Sequence, residues 1–373
     1  MVEFKSSLNE FNKSSFIIEI SKKKIEANFE LKISFKKKLS LIFLKKKIPQ
    51  TIMGKLFTKI ELMEAEDHLD ELAERIIYKT NLKKNSKIKG FSYKDRSFVK
   101  RLKTKGFSNS EILINLKNKS IFKNIQRFME YKNNEKIDLI ICRHVIEHTY
   151  DIKGFLNKID NLLAENGCVL FEVPDTERQL KNGDCSFIWE EHTFYFTEVS
   201  FMNLLLSSGY KIIFKKRYHY SFEDSLIFLI KKTDVCEAVF KQKNFLLDFN
   251  KLHQNRRKKV KKFVKYYRKL NYKFILLGAG HLSVTFVHLM NLNNDICMVL
   301  DGDPQKKGKY FPGTNHLIKN INKNNSYSKT IFLLGMNPIR IKSFLDNNNF
   351  GKENKYLSIF KGNKFSIDKE YTI

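Results

Sequence analysis

The segment from Ile137 to Phe196 most constrains what this 373-residue chain can fold into. It begins with an apolar run, Ile137 to Cys142, which is typical of a parallel strand buried on both faces. A helical repeat of apolar residues follows and stops before Gly167, where a helix end favours a left-handed residue. A second apolar run, Cys168 to Val173, stops at Pro174. The segment therefore predicts a strand–helix–strand unit with a right-handed crossover.

Polar side chains follow both predicted strands. Arg143, His144, Glu147 and His148 come directly after the first strand, and the run from Trp189 to Phe196 comes after the second. Open α/β sheets bind their ligands beyond the carboxyl ends of parallel strands. This edge is therefore the predicted site.

Periodicity predicts the elements around this unit. Helical patterns cover Leu62–Tyr78, Ile121–Tyr131 and Glu198–Ser208. Strand patterns cover Ile112–Ile114, Lys211–Phe214 and Leu226–Lys231. The last two strands are expected to close the sheet as an antiparallel edge.

A second α/β unit begins after Tyr272. An apolar strand runs into Gly278-Ala279-Gly280, a helix follows, and the next strand ends at Asp301. This order is a Rossmann layout, although Ser283 stands at the third glycine position. We therefore predict four segments, which are a β-rich cap at 1–54, a first α/β domain at 55–234, a basic helical linker at 235–271 and a smaller Rossmann-like domain at 272–373.

The net charge of +29 bears on the class of partner. Lysines provide 58 of the 69 basic residues and are spread along the chain, whereas proteins that read nucleic-acid grooves favour arginine. A nucleic-acid methyltransferase or binder is therefore kept only as an alternative. An anionic small molecule, such as a nucleotide-linked sugar, would also benefit from a positive field.

The apolar pattern and the cysteines indicate the compartment. No run of about 18 uncharged apolar residues occurs, and the N-terminus lacks a signal-peptide core, so neither a membrane span nor export is expected. The five cysteines include no CxxC pair, which favours reduced thiols in the cytoplasm. A homodimer is compatible with the sequence, but no sequence feature indicates one.

The run from Asp138 to Phe196 resembles the sugar C-methyltransferase family. The pieces that carry the resemblance are DLIICRHVIEH, NLLAENGCVLFEVPD and WEEHTFYFT, joined by ILLGAGHLSVTFVHL and VLDGDPQKKGKYFPGT in the C-terminal domain. The resemblance covers roughly residues 55–373. It implies a class I methyltransferase sheet followed by a smaller Rossmann-like α/β domain. It also implies S-adenosylmethionine as cofactor and a nucleotide-linked (deoxy)sugar of surface-polysaccharide or deoxysugar biosynthesis as substrate.

The resemblance assigns catalytic roles within WEEHTFYF. Carbon methylation beside a carbonyl needs a base to remove a carbon-bound proton and donors to stabilise the enolate oxygen. The family's base corresponds to His192, and histidine titrates near neutral pH. Glu191 or Glu190 is expected to orient that histidine, and Tyr195 to donate a hydrogen bond to the substrate.

The same resemblance places the cofactor at the carboxyl edge of the sheet. Gly90, Ser92 and Asp95 lie in the expected cofactor turn, and His144 and Glu147 are expected to shape the pocket. Glycine-rich turns let a cofactor approach the backbone closely. Here Ser92, Lys94 and Arg96 stand where glycines are expected, so the turn must bind in a variant way or the domain has lost its cofactor.

Two further points separate this chain from its relatives and from metalloenzymes. The family's N-terminal cysteine-rich zinc module has no counterpart, so no structural zinc is predicted. His144 and His148 formally match an inverted HxxEH zinc motif. Their position just after a buried strand argues against it, and no metal site is therefore predicted. The alternative to an enzyme is a non-catalytic binding or scaffold protein that keeps the methyltransferase fold.

Overall fold

The computed structural model describes residues 33–50, 65–116, 120–132, 135–189, 191–220, 223–235, 239–322, 327–348 and 350–370. Most of the predicted cap, the start of the Leu62–Tyr78 helix and Glu190 lie outside these residues. The chain divides into two compact units. The first contains residues 34–177 and 191–244, and the second contains residues 178–190 and 245–373.

Both units are α/β. The helices are α1 (Leu69–Thr80), α2 (Arg96–Thr104), α3 (Ile121–Glu130), α4 (Ile152–Leu162), α5 (Glu177–Asn182), α6 (Glu198–Ser207), α7 (Phe245–Lys269), α8 (His281–Leu289) and α9 (Pro338–Asn347). The strands are β1 (Ile33–Lys36), β2 (Leu41–Leu44), β3 (Ile88–Gly90), β4 (Ser110–Ile112), β5 (Ile137–Arg143), β6 (Leu163–Asp175), β7 (Phe194–Tyr195), β8 (Tyr210–Tyr218), β9 (Asp224–Lys232), β10 (Lys273–Leu277), β11 (Ile296–Asp301), β12 (Ile318–Asn320), β13 (Thr330–Leu334) and β14 (Lys355–Ser358).

The main sheet of the first unit has the strand order β4-β3-β5-β6-β9-β8. Strands β4, β3, β5 and β6 are parallel, whereas β9 is antiparallel to both of its neighbours. The expected α/β fold and its antiparallel edge are thus confirmed, and the order is that of a class I methyltransferase sheet. The carboxyl ends of β3, β5 and β6 therefore meet at one edge.

Helix α1 shows why this sheet is covered. It buries Leu69, Leu72 and Ile76, which are spaced three or four residues apart and so share one face. They pack in one core cluster with Ile88 of β3 and Leu139 of β5. The strands are apolar throughout because both of their faces are covered, and α1 is apolar on the one face that it turns to the sheet. These two patterns account for a layer of helix packed on a layer of sheet.

The described end of the N-terminal cap meets the WEEHTFYF segment. Strands β1, β2 and β7 form a three-stranded sheet, in which β2 pairs with β7 through Ile42–Tyr195 and Phe43–Phe194. The main-chain N–H of Leu44 also donates to the carbonyl oxygen of Thr193 at 2.9 Å. The cap strands therefore position the chain beside His192.

The second unit has a parallel sheet of strand order β12-β11-β10-β13-β14. Its GAG turn links β10 to α8, and Gly278 has a φ of +100°, which favours glycine. The Ser283 hydroxyl donates to the Gly278 carbonyl at 2.6 Å, and the Asp301 carboxylate accepts from the Ala279 N–H at 2.6 Å. The serine at the third glycine position thus closes the turn.

Helix α7 covers most of the predicted linker and belongs to the second unit. The role of this helix as a linker between the two units stays a prediction. None of the described helices combines the length and the apolar character needed to cross a membrane.

Candidate active site

The turn after β3 is built by Ser92 and Asp95. The Ser92 N–H donates to Asp95 Oδ2 at 2.9 Å, and the Ser92 hydroxyl accepts from the Lys94 N–H at 3.4 Å. Ser92 and Asp95 are fully buried. This capping box starts a short 3-10 helix, Tyr93–Asp95, that leads into α2. Two of the predicted cofactor residues thus stabilise the turn itself.

Gly90 is required by the same turn. A Cβ atom at Gly90 would lie 2.7 Å from Asp95 Cβ and 2.8 Å from Val99 Cγ2. The space that a side chain at Gly90 would need is therefore already occupied by Asp95 and Val99. Gly90 permits a close approach of β3 and α2.

Asp95 also connects β3 to β5. Its Oδ1 atom accepts from the Arg143 N–H at 3.0 Å. Burial raises the pKa of the Asp95 carboxyl to about 7, against the lowering effect of these N–H donors and of the Arg143 charge. A carboxyl group that titrates near neutral pH thus lies at the carboxyl edge of the sheet.

A buried ion pair joins β5 to β6. Arg143 Nε lies 2.5 Å from Glu172 Oε2, and Arg143 Nη1 donates to the Lys94 carbonyl at 3.0 Å. Burial alone would raise the Glu172 pKa, but the charges of Arg143 and His144 and bonds from His144 and His68 hold it well below its usual value. Glu172 is therefore ionised and organises this edge.

His144 has a left-handed backbone, with φ of +51°, directly after β5. Its N–H donates to the Glu172 carbonyl at 2.8 Å, and its Nε2 donates to the ionised Glu172 Oε1 at 3.2 Å. Its other ring nitrogen lies 3.8 Å from Glu147 Oε1. Left-handed non-glycine residues are uncommon and concentrate at functional sites.

Glu147 anchors the WEEHTFYF segment through its main chain. Its carbonyl oxygen accepts from the Thr193 N–H at 2.8 Å and from the Thr193 hydroxyl at 3.1 Å. The Glu147 side chain is 1 % exposed. A buried carboxylate thus lies where the two predicted polar clusters meet.

His148 is the neighbour of His192. Their ring centroids are 4.7 Å apart with an edge-to-face angle of 80°. His148 Nδ1 lies 3.1 Å from the Glu191 carbonyl, which can only accept, so this nitrogen carries the proton. Burial lowers the pKa of His148 well below its usual value, which keeps the ring neutral.

The remaining predicted catalytic residues lie close by. The Tyr195 side chain is buried in β7, with its ring centroid 6.2 Å from that of His192. Glu191 contributes its main-chain carbonyl to the bond with His148. The structure thus brings His192, Glu191, Tyr195, His144 and Glu147 together, while Gly90, Ser92 and Asp95 build the neighbouring turn.

Sequence reasoning missed three contributors to this site. His148 received no role, although it follows Glu147 in the same polar cluster. Glu172 lies inside an apolar strand, where a single acidic residue is itself a signal of a buried partner. His68 lies in a charged stretch of sequence, a context typical of a solvent-facing side chain, but it is 4 % exposed, with Nε2 3.3 Å from Glu172 Oε1.

Two solved structures with a similar fold each cover less than half of this chain. A methyltransferase dependent on S-adenosylmethionine from Clostridium acetobutylicum is 12 % identical, with 46 % of this chain and 93 % of that chain covered and a TM-score of 0.30. The 1,6-didemethyltoxoflavin-N1-methyltransferase of Burkholderia thailandensis is 12 % identical, with 45 % and 80 % covered and a TM-score of 0.32. No curated protein sequence matches the chain significantly.

Two family models match the chain in succession. Residues 59–214 match a methyltransferase domain, and residues 229–336 match a C-methyltransferase C-terminal domain. The chain therefore contains both domains in that order. It is a methyltransferase.

Proposed function

We propose that this methyltransferase methylates a carbon atom of a nucleotide-linked (deoxy)sugar, with His192 as the general base. The C-methyltransferase C-terminal domain and the resemblance of WEEHTFYF to sugar C-methyltransferases support carbon as the acceptor. The net charge of +29 favours a substrate that carries phosphates. The enzyme would act in the cytoplasm, in surface-polysaccharide or deoxysugar biosynthesis.

The placement of His192 carries this proposal. The residue is 9 % exposed, so it is largely shielded from water. The flanking residues fix its position, because the Glu191 carbonyl accepts from His148 and Thr193 donates to the Glu147 carbonyl. An imidazole that is held in place can remove a proton next to a carbonyl group.

The cluster around His192 also suits the charge that proton removal creates. Glu147 is a carboxylate close to His148, with 3.9 Å between Oε1 and Nε2, and it favours a positive charge on the histidine pair once His192 has taken the proton. Tyr195 is the proposed donor to the substrate oxygen. Glu191 holds the loop through its main chain.

The edge of the sheet is chemically suited to S-adenosylmethionine. This donor carries a sulfonium, an ammonium and a carboxylate group but no phosphate, so its cationic groups favour carboxylates nearby. Glu147 places a buried carboxyl group there, and Asp95 holds the adjoining turn through the Ser92 and Arg143 N–H groups. With Gly90, Ser92 and His144 they are the residues proposed to hold it. When bound, the donor supplies an electrophilic methyl group.

Hydrogen exchange at carbon tests the base separately from methyl transfer. A nucleotide-linked keto-deoxysugar is incubated in D2O with enzyme and S-adenosylhomocysteine, and loss of the proton beside the carbonyl is followed by NMR. We expect His192→Gln to lower the exchange rate about 100-fold or more while S-adenosylhomocysteine still binds. His219→Gln, at an exposed histidine of the same unit, is the control. Undiminished exchange in His192→Gln would refute the base assignment.

The capping box at Ser92 favours one alternative, in which the fold has become a non-catalytic binding protein. The turn's donors at Ser92 and Lys94 are used within the chain. Calorimetric titration with S-adenosylhomocysteine separates the two functions. Micromolar binding supports the enzyme, and no binding at millimolar ligand supports the alternative.

A further inference from the structure

Two imidazoles and a carboxylate converge beyond the carboxyl end of β5. Glu147, His148 and His192 each offer a ligand atom, and these three atoms lie within 4.8 Å of one another. Across the described ranges of the chain, no second group of three such ligands forms. All three residues are at most 9 % exposed, so the cluster is shielded from bulk water.

The orientation of His148 is the one a metal ligand needs. Its Nδ1 donates to the Glu191 carbonyl, so the lone pair of the neutral ring resides on Nε2. Nε2 is also the atom that lies 3.9 Å from Glu147 Oε1. Histidines that bind metals commonly donate their second ring N–H to a carbonyl or carboxylate, which fixes the tautomer and the ring plane.

We propose that Glu147, His148 and His192 form a binding site for one divalent transition-metal ion of the zinc and cobalt type. Two imidazoles with one carboxylate are a common ligand set for such ions and leave a coordination position open. Ligand atoms on a tetrahedral zinc ion are about 3.4 Å apart. Closing the present 3.9 Å between Glu147 and His148 requires a movement of about 0.5 Å, and any pair at the 4.8 Å limit of the set would have to close by about 1.4 Å.

This site differs from the zinc motif weighed on sequence grounds. That motif paired His144 with His148, whereas Nε2 of His144 is directed to Glu172. The third ligand, His192, comes from a separate segment that β2 and Thr193 hold against β5. Sequence spacing could not reveal this set.

Metal binding would regulate the reaction proposed above, and this consequence rests on that function. An ion held by His192 occupies the lone pair that would otherwise take the substrate proton. Zinc at saturating concentration is therefore expected to lower methyl transfer at least tenfold, with recovery after addition of a chelator. Zinc that binds without inhibiting leaves the metal site supported and removes the base role of His192.

Binding itself is measured without methyl donor or sugar, so its outcome is independent of the reaction. The full chain is freed of metal with a chelator and titrated with Zn²⁺ by calorimetry and with Co²⁺ by visible absorption. We expect one ion per chain with a Kd of micromolar or below. Co²⁺ should show the intense visible bands of four- or five-coordination.

Two variants and one control make the assignment specific. His148→Asn keeps a donor for the Glu191 carbonyl but removes the ligand nitrogen, and Glu147→Gln keeps the side-chain volume. Each should weaken Zn²⁺ binding at least tenfold with unchanged circular dichroism, whereas His219→Gln should bind as the wild type does. Binding of less than one ion per chain by the wild type, or wild-type affinity in both variants, overturns the site.

Discussion

His148 Nδ1 donates to the main-chain carbonyl of Glu191 at 3.1 Å and thereby ties the loop that carries His192 to the end of β5. We expect His148→Ala to lower kcat about tenfold to a hundredfold, because displacement of a reacting group by about 1 Å is costly. His148→Asn retains an N–H at the position of Nδ1 and should recover much of this loss. Steady-state methyl transfer measures kcat and KM separately.

KM for the sugar and affinity for S-adenosylhomocysteine should change little in both His148 variants, since the effect acts through the position of His192. Equal loss in His148→Ala and His148→Asn would show that the bond to Glu191 is not the cause. His219→Ala, at an exposed histidine, controls for general effects of removing an imidazole.

The Arg143–Glu172 pair should dominate the stability of the first unit. Glu172→Gln removes the closest counter-charge of the buried Arg143, and breaking a buried pair costs about 3 to 5 kcal/mol. Urea denaturation followed by circular dichroism measures the midpoint. Glu165→Gln, an exposed position on the same strand, should stay within about 0.5 kcal/mol of the wild type.

A double variant tests whether the cost comes from the unpaired charge. Arg143→Met with Glu172→Leu removes both charges and fills similar volume, so it should be less destabilised than Glu172→Gln. The single variants Arg143→Met and Glu172→Leu are measured beside it. If the stability lost by the double variant equals the sum of the stability lost by these two, the residues are not coupled.

The positions of two predicted cofactor-binding residues follow from sheet topology. His144 and Glu147 come directly after β5, and β5 and β6 are parallel neighbours that end at the same edge of the sheet. The proximity of these two residues to the segment that follows β6 could therefore be predicted. The apolar runs also predicted that these segments are strands. The bounds differ for β6, which begins at Leu163 and is longer than the predicted Cys168–Val173. Helix α3 matches its predicted range to within one residue.

The features that could not be predicted depend on long-range pairing. The contact of β2 with β7 joins segments far apart in the chain, and two short strands carry no signal of their partner. The burial of Asp95 could not be predicted from the sequence either, because an acidic residue in a turn usually faces solvent. Only the packing of β3 against α2 and Arg143 explains it.

Asp95 predicts a pH dependence of stability. Its pKa is raised from 3.8 to about 7 in the folded chain, so the folded state binds the proton more tightly than the unfolded state. The free energy of unfolding that it contributes is therefore fully present below about pH 4 and is lost as the pH rises to about 7. The advantage of the wild type over Asp95→Asn should shrink across this window.

Urea midpoints of both proteins at pH 5 and pH 8 provide this comparison, and titrations of other groups largely cancel in the difference. The variant itself carries a constant cost, because both Asp95 oxygens accept main-chain N–H groups and an amide NH2 would face one of them. A difference that is equal at the two pH values would rule out a raised Asp95 pKa.

Gly90 tests whether the turn after β3 is fixed by packing. In Gly90→Ala the new methyl group would lie 2.7 Å from Asp95 Cβ and 2.8 Å from Val99 Cγ2, so β3 and α2 must separate. We expect a loss of about 1 to 3 kcal/mol in the free energy of unfolding, as for other overpacked cores. Gly280→Ala is the matched control, because nothing lies within 4 Å of its added Cβ. Restored stability in Gly90→Ala combined with Val99→Ala would confirm the clash, whereas equal midpoints for both glycine variants would show that the turn tolerates a side chain.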